Sequence, residues 1–194
     1  MPEPIEDYER VSVYALDDAE REELLHTHAE CTFNWATRDG WPMGVIMSYL
    51  WQDGRFWLTA GAHRHRIEAV RRDPRVSVVV TSTGTKLPAG KSITAKGRCR
   101  VHEDAETRAW FYPAFASHLY PDEKQALVFA KKLDSPLRVV LEVVPEKWIS
   151  YDGVKMFRDA AGKLSASEKS PPKSSDTQRL ERELRRRGLP QEKR

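Results

Sequence analysis

The sequence predicts a single mainly β (α+β) domain, in which antiparallel strands close into a small barrel with peripheral helices. Three observations support this fold class. Strand-like segments outnumber helical ones, short Asp-Gly turns join consecutive strands, and 40% of the 194 residues are hydrophobic, enough for one core. Short turns favour antiparallel pairing, because a parallel pair needs a longer crossover. With about six predicted strands and no internal repeat, a closed barrel is the expected architecture.

The N-terminal third begins with a helix and continues with strands. Asp17 is a predicted N-cap, and Glu20 three residues later completes a capping-box pattern. The hydrophobic period then changes from helical to alternating, which indicates strands. Because Asp-Gly turns separate these strands, we expect an antiparallel meander. The strands are predicted over residues 31–35, 43–51 and 55–60, with turns at Asp39-Gly40 and Asp53-Gly54.

The middle of the chain alternates between helices and β-branched strands. A short helix over residues 63–72 is ended by Pro74, since the residue before a proline disfavours helical geometry. Further strands are predicted over residues 75–82, 92–102 and 137–144, helices over 104–118 and 121–133, and a short strand or hairpin over 148–157. With the N-terminal strands, they give a six-stranded antiparallel barrel.

The composition changes near residue 160, which predicts three regions. Residues 1–158 form the barrel domain, 159–175 a flexible linker rich in Gly, Ser, Pro and Lys, and 176–194 a basic tail with a short helix over 176–187. Residues 160–194 carry ten Lys/Arg and five Asp/Glu, so they account for more than the net charge of +3. The rest of the chain is slightly acidic, which argues against a nucleic-acid-binding core. A solvated or partner-docking tail is favoured over membrane or RNA binding.

Location and redox state are predicted from what the sequence lacks. Charged or turn residues interrupt every apolar run below membrane-spanning length, and the acidic N-terminus has no apolar signal-peptide core. A cytoplasmic location is therefore expected. Cys31 and Cys99 are expected to be reduced, buried thiols, because a disulfide framework needs more cysteines.

Two motifs are considered and set aside. The segment Gly84–Ser92 (GTKLPAGKS) resembles a Walker A loop, but it has one residue too many and a strand pattern follows it where a helix is needed. The six histidines have no metal-ligand spacing, and His63 and His65 lie among arginines that would repel a cation. We therefore expect neither a nucleotide P-loop nor a metal site.

The segment from Phe56 to Arg66 is a better candidate site. It runs from a strand through small residues into a helix start, where free N–H groups and the helix dipole attract anions. The guanidinium groups of Arg64 and Arg66 suit phosphate oxygens, and Thr59 adds a hydroxyl. Residue chemistry alone favours this anion pocket no more than a solvated basic helix.

A family resemblance favours the anion pocket. The run FWLTAGAHRHRIEAVRRDPRVSVVV resembles the signature of the pyridoxamine 5′-phosphate oxidase-like split barrels, a superfamily that includes actinobacterial flavin/deazaflavin oxidoreductases. The matching features are Thr59, the basic pair, a short helix and the segment 73–77 (DPRVS). Gly40-Trp41-Pro42 upstream and the strand leading to Gly97 downstream also match. The resemblance spans about residues 20–157.

The resemblance implies an FMN-binding split barrel, usually a homodimer with two cofactor sites at its interface. It places one segment along the isoalloxazine ring, a second at the ring or ribityl chain and a basic pair at the phosphate, with one further contact from a neighbouring strand. These positions are Val45, Ile46, Met47 and Ser48 for the ring, Leu58 and Thr59 for the ring or ribityl chain, Arg64 and Arg66 for the phosphate, and Ser92 for the further contact.

The implied activity is hydride transfer between the bound cofactor and a small organic substrate. The sequence lacks the oxidase's C-terminal Arg-x-Arg-Leu-His motif, so vitamin B6 oxidation is not expected, and Val45 replaces a basic residue often found beside the ring. FMN is preferred over the deazaflavin coenzyme (F-420), whose polyglutamate tail favours extra basic residues such as Lys86, Lys91 and Lys96. No catalytic acid or base is identified. A non-catalytic carrier or sensor of flavin, deazaflavin or haem is the alternative.

Overall fold

The computed structural model describes residues 11–189. Within this range, one seven-stranded antiparallel sheet curls into a barrel. The N-terminal segment used in the location prediction and the last five residues of the predicted tail lie outside this range. The strands are β1 Glu30–Ala36, β2 Pro42–Ser48, β3 Leu50–Gln52, β4 Arg55–Gly61, β5 Arg75–Thr81, β6 Lys91–His102 and β7 Arg138–Asp152. Their order in the sheet is β2-β1-β5-β6-β7-β4-β3.

The sheet curls into a split barrel because its two edges are neighbours in sequence. β2 and β3 lie at opposite edges, yet only Tyr49 separates them. One residue spans only about 3.5 Å, so the sheet has to curl until its edges meet. Tyr49 is fully buried, and its hydroxyl donates to the carbonyl of Leu25 at 2.9 Å. The predicted fold class, a mainly β antiparallel barrel with peripheral helices, is confirmed.

Two details of the predicted strand pattern are wrong. The strand predicted over residues 43–51 is broken at Tyr49, whose amide donates to the carbonyl of Ala29 at 2.9 Å outside any strand pairing. The sheet therefore has seven strands where six were predicted. The predicted meander is also absent from this part of the chain, because β2 pairs with β1 while β3 pairs with β4 at the other edge. Both Asp-Gly turns lie where they were predicted.

The barrel interior forms the main core. Alternating residues of the strands point inward, as period-2 patterning requires, and Phe33, Val78 and Leu141 are fully buried there. Helix α1 (Asp18–Thr27) carries the predicted capping box. Helix α2 (His65–Arg72) follows β4 and contributes two buried side chains, Ile67 and Val70, to the same core.

A second core lies outside the barrel, between the sheet and a pair of helices. Helices α3 (Ala105–Leu119) and α4 (Glu123–Leu133) pack Phe111, Tyr112 and Phe115 against Trp57 and Val140. The middle of β4 and the first half of β7 are consequently buried on both faces. The outward-facing residues of β4 therefore lie under α3, which matters for the site below.

The C-terminal part differs from the sequence prediction in one place. A short strand or hairpin was predicted over residues 148–157. Residues 148–152 are a strand, the end of β7, but helix α5 (Gly153–Ala160) follows, so the hairpin alternative is wrong. The cause is local, because the Asp152 carboxylate accepts the N–H groups of Val154 and Lys155 and caps the helix. Helix α6 (Ser174–Arg187) follows. The division into domain, linker and tail remains a prediction. No helix in the described part of the chain is long and apolar enough to cross a membrane.

Candidate functional site

The barrel is open along one line, between β2 and β4. The pairing of β3 with β4 ends where Leu50 meets Trp57. Continued in the same register, it would place Thr59 opposite Ser48, but among the described strands β2 pairs only with β1 and this part of β4 only with β7. We call this opening, bounded by β2 and by residues 58–61 of β4, the split. The strand edges facing the split lack ladder partners and are free to bind a ligand.

The structure brings most of the predicted ring-contacting residues to the split. Val45 and Met47 pack against the barrel core, whereas Ile46 is 66% exposed. Ser48, the last residue of β2, is half-buried. The side chain of Leu58 is fully buried in the core, so only its main chain is available to a ligand.

Thr59 lies on the outward face of β4. Its hydroxyl donates to the carbonyl of Val139 at 2.9 Å, so that its oxygen remains available mainly as an acceptor. The buried hydroxyl of Tyr112 lies beside it without a hydrogen bond of good geometry. Burial raises the pKa of Tyr112, and Thr59 and the nearby arginines only partly offset that rise.

Three arginines meet where β4 ends and α2 begins. Arg64 is the N-cap residue of α2 and Arg66 lies in its first turn. Arg138, the first residue of β7, pairs across the sheet with Gly61. The amide of Ala62 donates a hydrogen bond to the carbonyl of Leu137, the residue before Arg138, at 2.7 Å. Burial lowers the pKa of Arg66, and the positive charges of the other two lower it further. We call these three residues the arginine cluster.

The arginine cluster has no counter-charge within the part of the chain that the structure describes. No carboxylate there pairs with Arg64, Arg66 or Arg138, and the Nε of Arg66 is buried without an acceptor. Every other arginine between residues 11 and 160 contacts a carboxylate or a main-chain carbonyl. Unpaired guanidinium groups beside a helix N-terminus are an arrangement that attracts anions.

Ser92 is the predicted site residue that a single chain does not bring to the cluster. It pairs with Thr81 and Tyr151 at the start of β6. Thr59 pairs with Val140 of β7, and Val140 pairs with His102 of β6. His102 is ten residues further along β6 than Ser92. Ten residues of strand measure roughly 30 Å. Ser92 therefore lies near the opposite end of β6 from the row that contains Thr59, and its contact with a cofactor remains a prediction.

The residues around the Walker-like segment have a structural role. Lys91 begins strand β6, so no helix N-terminus follows the loop. Its ammonium group lies 3.2 Å from Glu20 and 3.6 Å from Asp152, and Lys155 contacts the same glutamate at 2.7 Å. We call these four residues the salt-bridge network. Because Lys91 is already paired, it is a poor candidate for binding a polyglutamate tail.

Sequence analysis missed Arg138. It lies in a β-strand pattern far from the signature segment, and only the pairing of β7 with β4 places it beside Arg66. An arginine at a strand start has no motif that distinguishes it from a surface residue. Both cysteines are buried and free, and no group of three metal-ligating side chains occurs in residues 11–189.

The fold defines the class of protein: an antiparallel split barrel, here with three neighbouring arginines at the end of its split. The chain belongs to the pyridoxamine 5′-phosphate oxidase family, whose profile matches residues 17–152. No curated protein matches the sequence.

Solved structures show the same fold at low sequence identity. A conserved hypothetical protein of Mycobacterium tuberculosis aligns with a TM-score of 0.62 and 22% identity over 73% of this chain and 88% of its own. An F420 reductase aligns at 0.51 and 16% identity, covering 66% of this chain and 94% of its own. A FAD-binding protein of Mesorhizobium loti aligns at 0.52 and 22%, covering 70% and 92%.

Proposed function

We propose that this protein binds FMN in the split and catalyses hydride transfer between the flavin and a small organic molecule. The observation that carries the proposal is the arginine cluster, whose buried Arg66 Nε lacks an acceptor. The family takes its name from an oxidase, and similar folds include an F420 reductase and a FAD-binding protein. The names of an oxidase, a reductase and a flavin-binding protein support redox chemistry on a bound flavin as the proposal for this chain.

Each part of the site has a role in this proposal. Arg64 and Arg66 hold the phosphate, together with the free N–H groups of α2. Val45, Ile46, Met47 and Ser48 of β2 line one side of the ring, and the main chain of Leu58 and Thr59 lines the other. FMN supplies the hydride-accepting ring when bound. The chain itself orients that ring, excludes water from the inner face of the split and neutralises the phosphate.

We further propose a homodimer, because the outer face of the sheet carries unpaired apolar surface. Ile46, Thr32, Val79, Thr94 and Ile149 form one cross-strand row, and the two isoleucines are 66% and 48% exposed. Trp41 at the neighbouring turn is 67% exposed. Apolar patches of this kind mark association surfaces. A second copy packed on this face would bring Ser92 of one chain towards the cofactor held by the other.

The test is reconstitution of the purified protein with FMN and, separately, with the deazaflavin coenzyme. We expect FMN to bind with a stoichiometry of one per chain, seen as a visible flavin spectrum that persists through gel filtration. A reduced, bound flavin should then transfer its electrons to an added acceptor over many turnovers. Binding without turnover would favour the carrier or sensor alternative. Protein that binds neither cofactor would contradict the proposal.

A further inference from the structure

Arg138 is a half-buried cation with no role in the fold's own charge pairing. Its main chain is fixed as the first residue of β7, opposite Gly61. Its positive charge and that of Arg66 repel each other. Asp134, a carboxylate that also lies near Tyr112, is paired with Arg108. Placing a third guanidinium here costs stability in the ligand-free protein, so a compensating ligand is expected.

The charge of the cluster constrains the ligand. The three guanidinium groups stay protonated at any physiological pH, so the cluster carries three positive charges. A phosphate monoester carries about −1.5 to −2 near neutral pH and offers three terminal oxygens. A phosphodiester has a single charge and fewer free oxygens, and it must continue into a second group on the far side. Three neighbouring guanidinium groups therefore match a terminal phosphate better than an internal one.

We propose that Arg138 is a third phosphate-binding residue, and that the complete arginine cluster selects a cofactor that ends in a phosphate monoester. This inference rests on the proposed function, since it assigns one more residue to the same cofactor site. It also explains why the Nε of Arg66 is buried without an acceptor. Arg64 and Arg138 are close enough to act electrostatically on Arg66, and a phosphate oxygen there would complete the hydrogen bonding of its buried Nε.

The experiment compares wild type with Arg138→Gln against four probes: FMN, riboflavin, FAD and inorganic phosphate. We expect Arg138→Gln to weaken FMN binding by about 10- to 100-fold, the range of one charge-assisted contact. Riboflavin, which lacks the phosphate, should bind both proteins equally. The preference of wild type for FMN over FAD should shrink in the variant. Isothermal titration or flavin fluorescence quenching measures each affinity.

Arg71→Gln is the matched control. Arg71 lies in the last turn of the same helix and pairs with Glu103 at its exposed end, so its loss removes one positive charge without touching the cluster. We expect its FMN affinity to stay within about twofold of wild type. Thermal unfolding without ligand gives a second measure. Arg138→Gln should unfold at the wild-type temperature or higher, because it relieves repulsion, whereas a purely structural arginine would lower that temperature.

The outcomes separate this inference from the proposed function. If wild type binds FMN and Arg138→Gln binds it equally well, Arg138 is not a phosphate ligand and only this inference fails. If wild type prefers FAD to FMN, the monoester selection is wrong. If wild type binds no flavin, the proposed function fails. Inorganic phosphate then decides for Arg138, because it should raise the unfolding temperature of wild type more than that of the variant.

Discussion

Two groups of charged residues in this protein have opposite designs. The salt-bridge network holds two lysines and two carboxylates between α1, β6, β7 and α5, and each charge has a partner within 3.6 Å. The arginine cluster holds three cations between β4, α2 and β7, and none has a partner in the described chain. Arg66 and Arg138 are half-buried, so solvent exposure does not explain why they lack partners, whereas Arg64 is exposed.

The comparison distinguishes charges that serve the fold from charges that serve a ligand. Paired ions at the junction of four elements attach α1 and α5 to the barrel, and removing one leaves the others uncompensated. Unpaired like charges cost stability until an anion arrives. Affinity and stability should therefore respond in opposite ways to substitutions in the two groups.

The largest expected effect is on affinity. Replacing both Arg64 and Arg66 with alanine should weaken FMN binding by about 10²- to 10⁴-fold, because each removes a charge-assisted contact to phosphate. The ligand-free double variant should unfold at the wild-type temperature or above. Fluorescence titration and thermal unfolding measure the two quantities. Unchanged affinity would mean that the phosphate lies elsewhere.

The second prediction is the opposite: a substitution in the salt-bridge network should lower stability and leave FMN affinity unchanged. Lys91→Met removes the cation that lies between Glu20 and Asp152, the latter 3% exposed. We expect a loss of about 1–3 kcal/mol in unfolding free energy, measured by urea denaturation, with FMN affinity unchanged. Lys86→Met is the control, since Lys86 has no ion pair in the described structure and should be neutral. A large fall in FMN affinity in Lys91→Met would contradict the comparison, because a residue of the salt-bridge network would then also serve the ligand.

The third prediction concerns pH. Burial raises the pKa of Glu20, but hydrogen bonds from Lys155, the Asp17 amide and Lys91 outweigh it, so the pKa lies below its usual 4.5. The stability from Glu20 is thus present above the unfolded pKa and lost as pH falls through the folded one. The stability gap between wild type and Glu20→Gln should be largest near neutrality and close in acid. A gap that stays constant down to acidic pH would contradict the assigned pairing.

The smallest expected effect is stabilisation by a simple anion. Millimolar inorganic phosphate should raise the unfolding temperature of wild type by a few degrees, as mass action predicts for a weak ligand near its dissociation constant. Chloride at equal ionic strength should not. Lys91→Met should keep the phosphate response, and the Arg64/Arg66 double variant should lose it. An equal rise in unfolding temperature with both salts would mean that phosphate acts only by screening charge and does not bind the arginine cluster.

Local sequence patterns were enough to predict most of the helices and strands. Alternation predicted the strands, the Asp17 capping box fixed the start of α1, and Pro74 marked the end of α2. These signals depend on neighbours a few residues away, so they survive without knowledge of the fold. The signature segment also identified Arg64 and Arg66 as neighbours at a helix start.

Only the tertiary structure decided which strand edges stay open and which charges stay unpaired. The break at Tyr49 depends on contacts with α1 and on the meeting of two sheet edges. Arg138 lies in the cluster because β7 pairs with β4. Lys91 is a poor candidate for binding a polyglutamate tail, because Glu20 and Asp152, two carboxylates distant in sequence, neutralise its charge. The physical reason is common to all three. Hydrogen bonding and charge compensation are settled between residues far apart in sequence, and no local pattern records them.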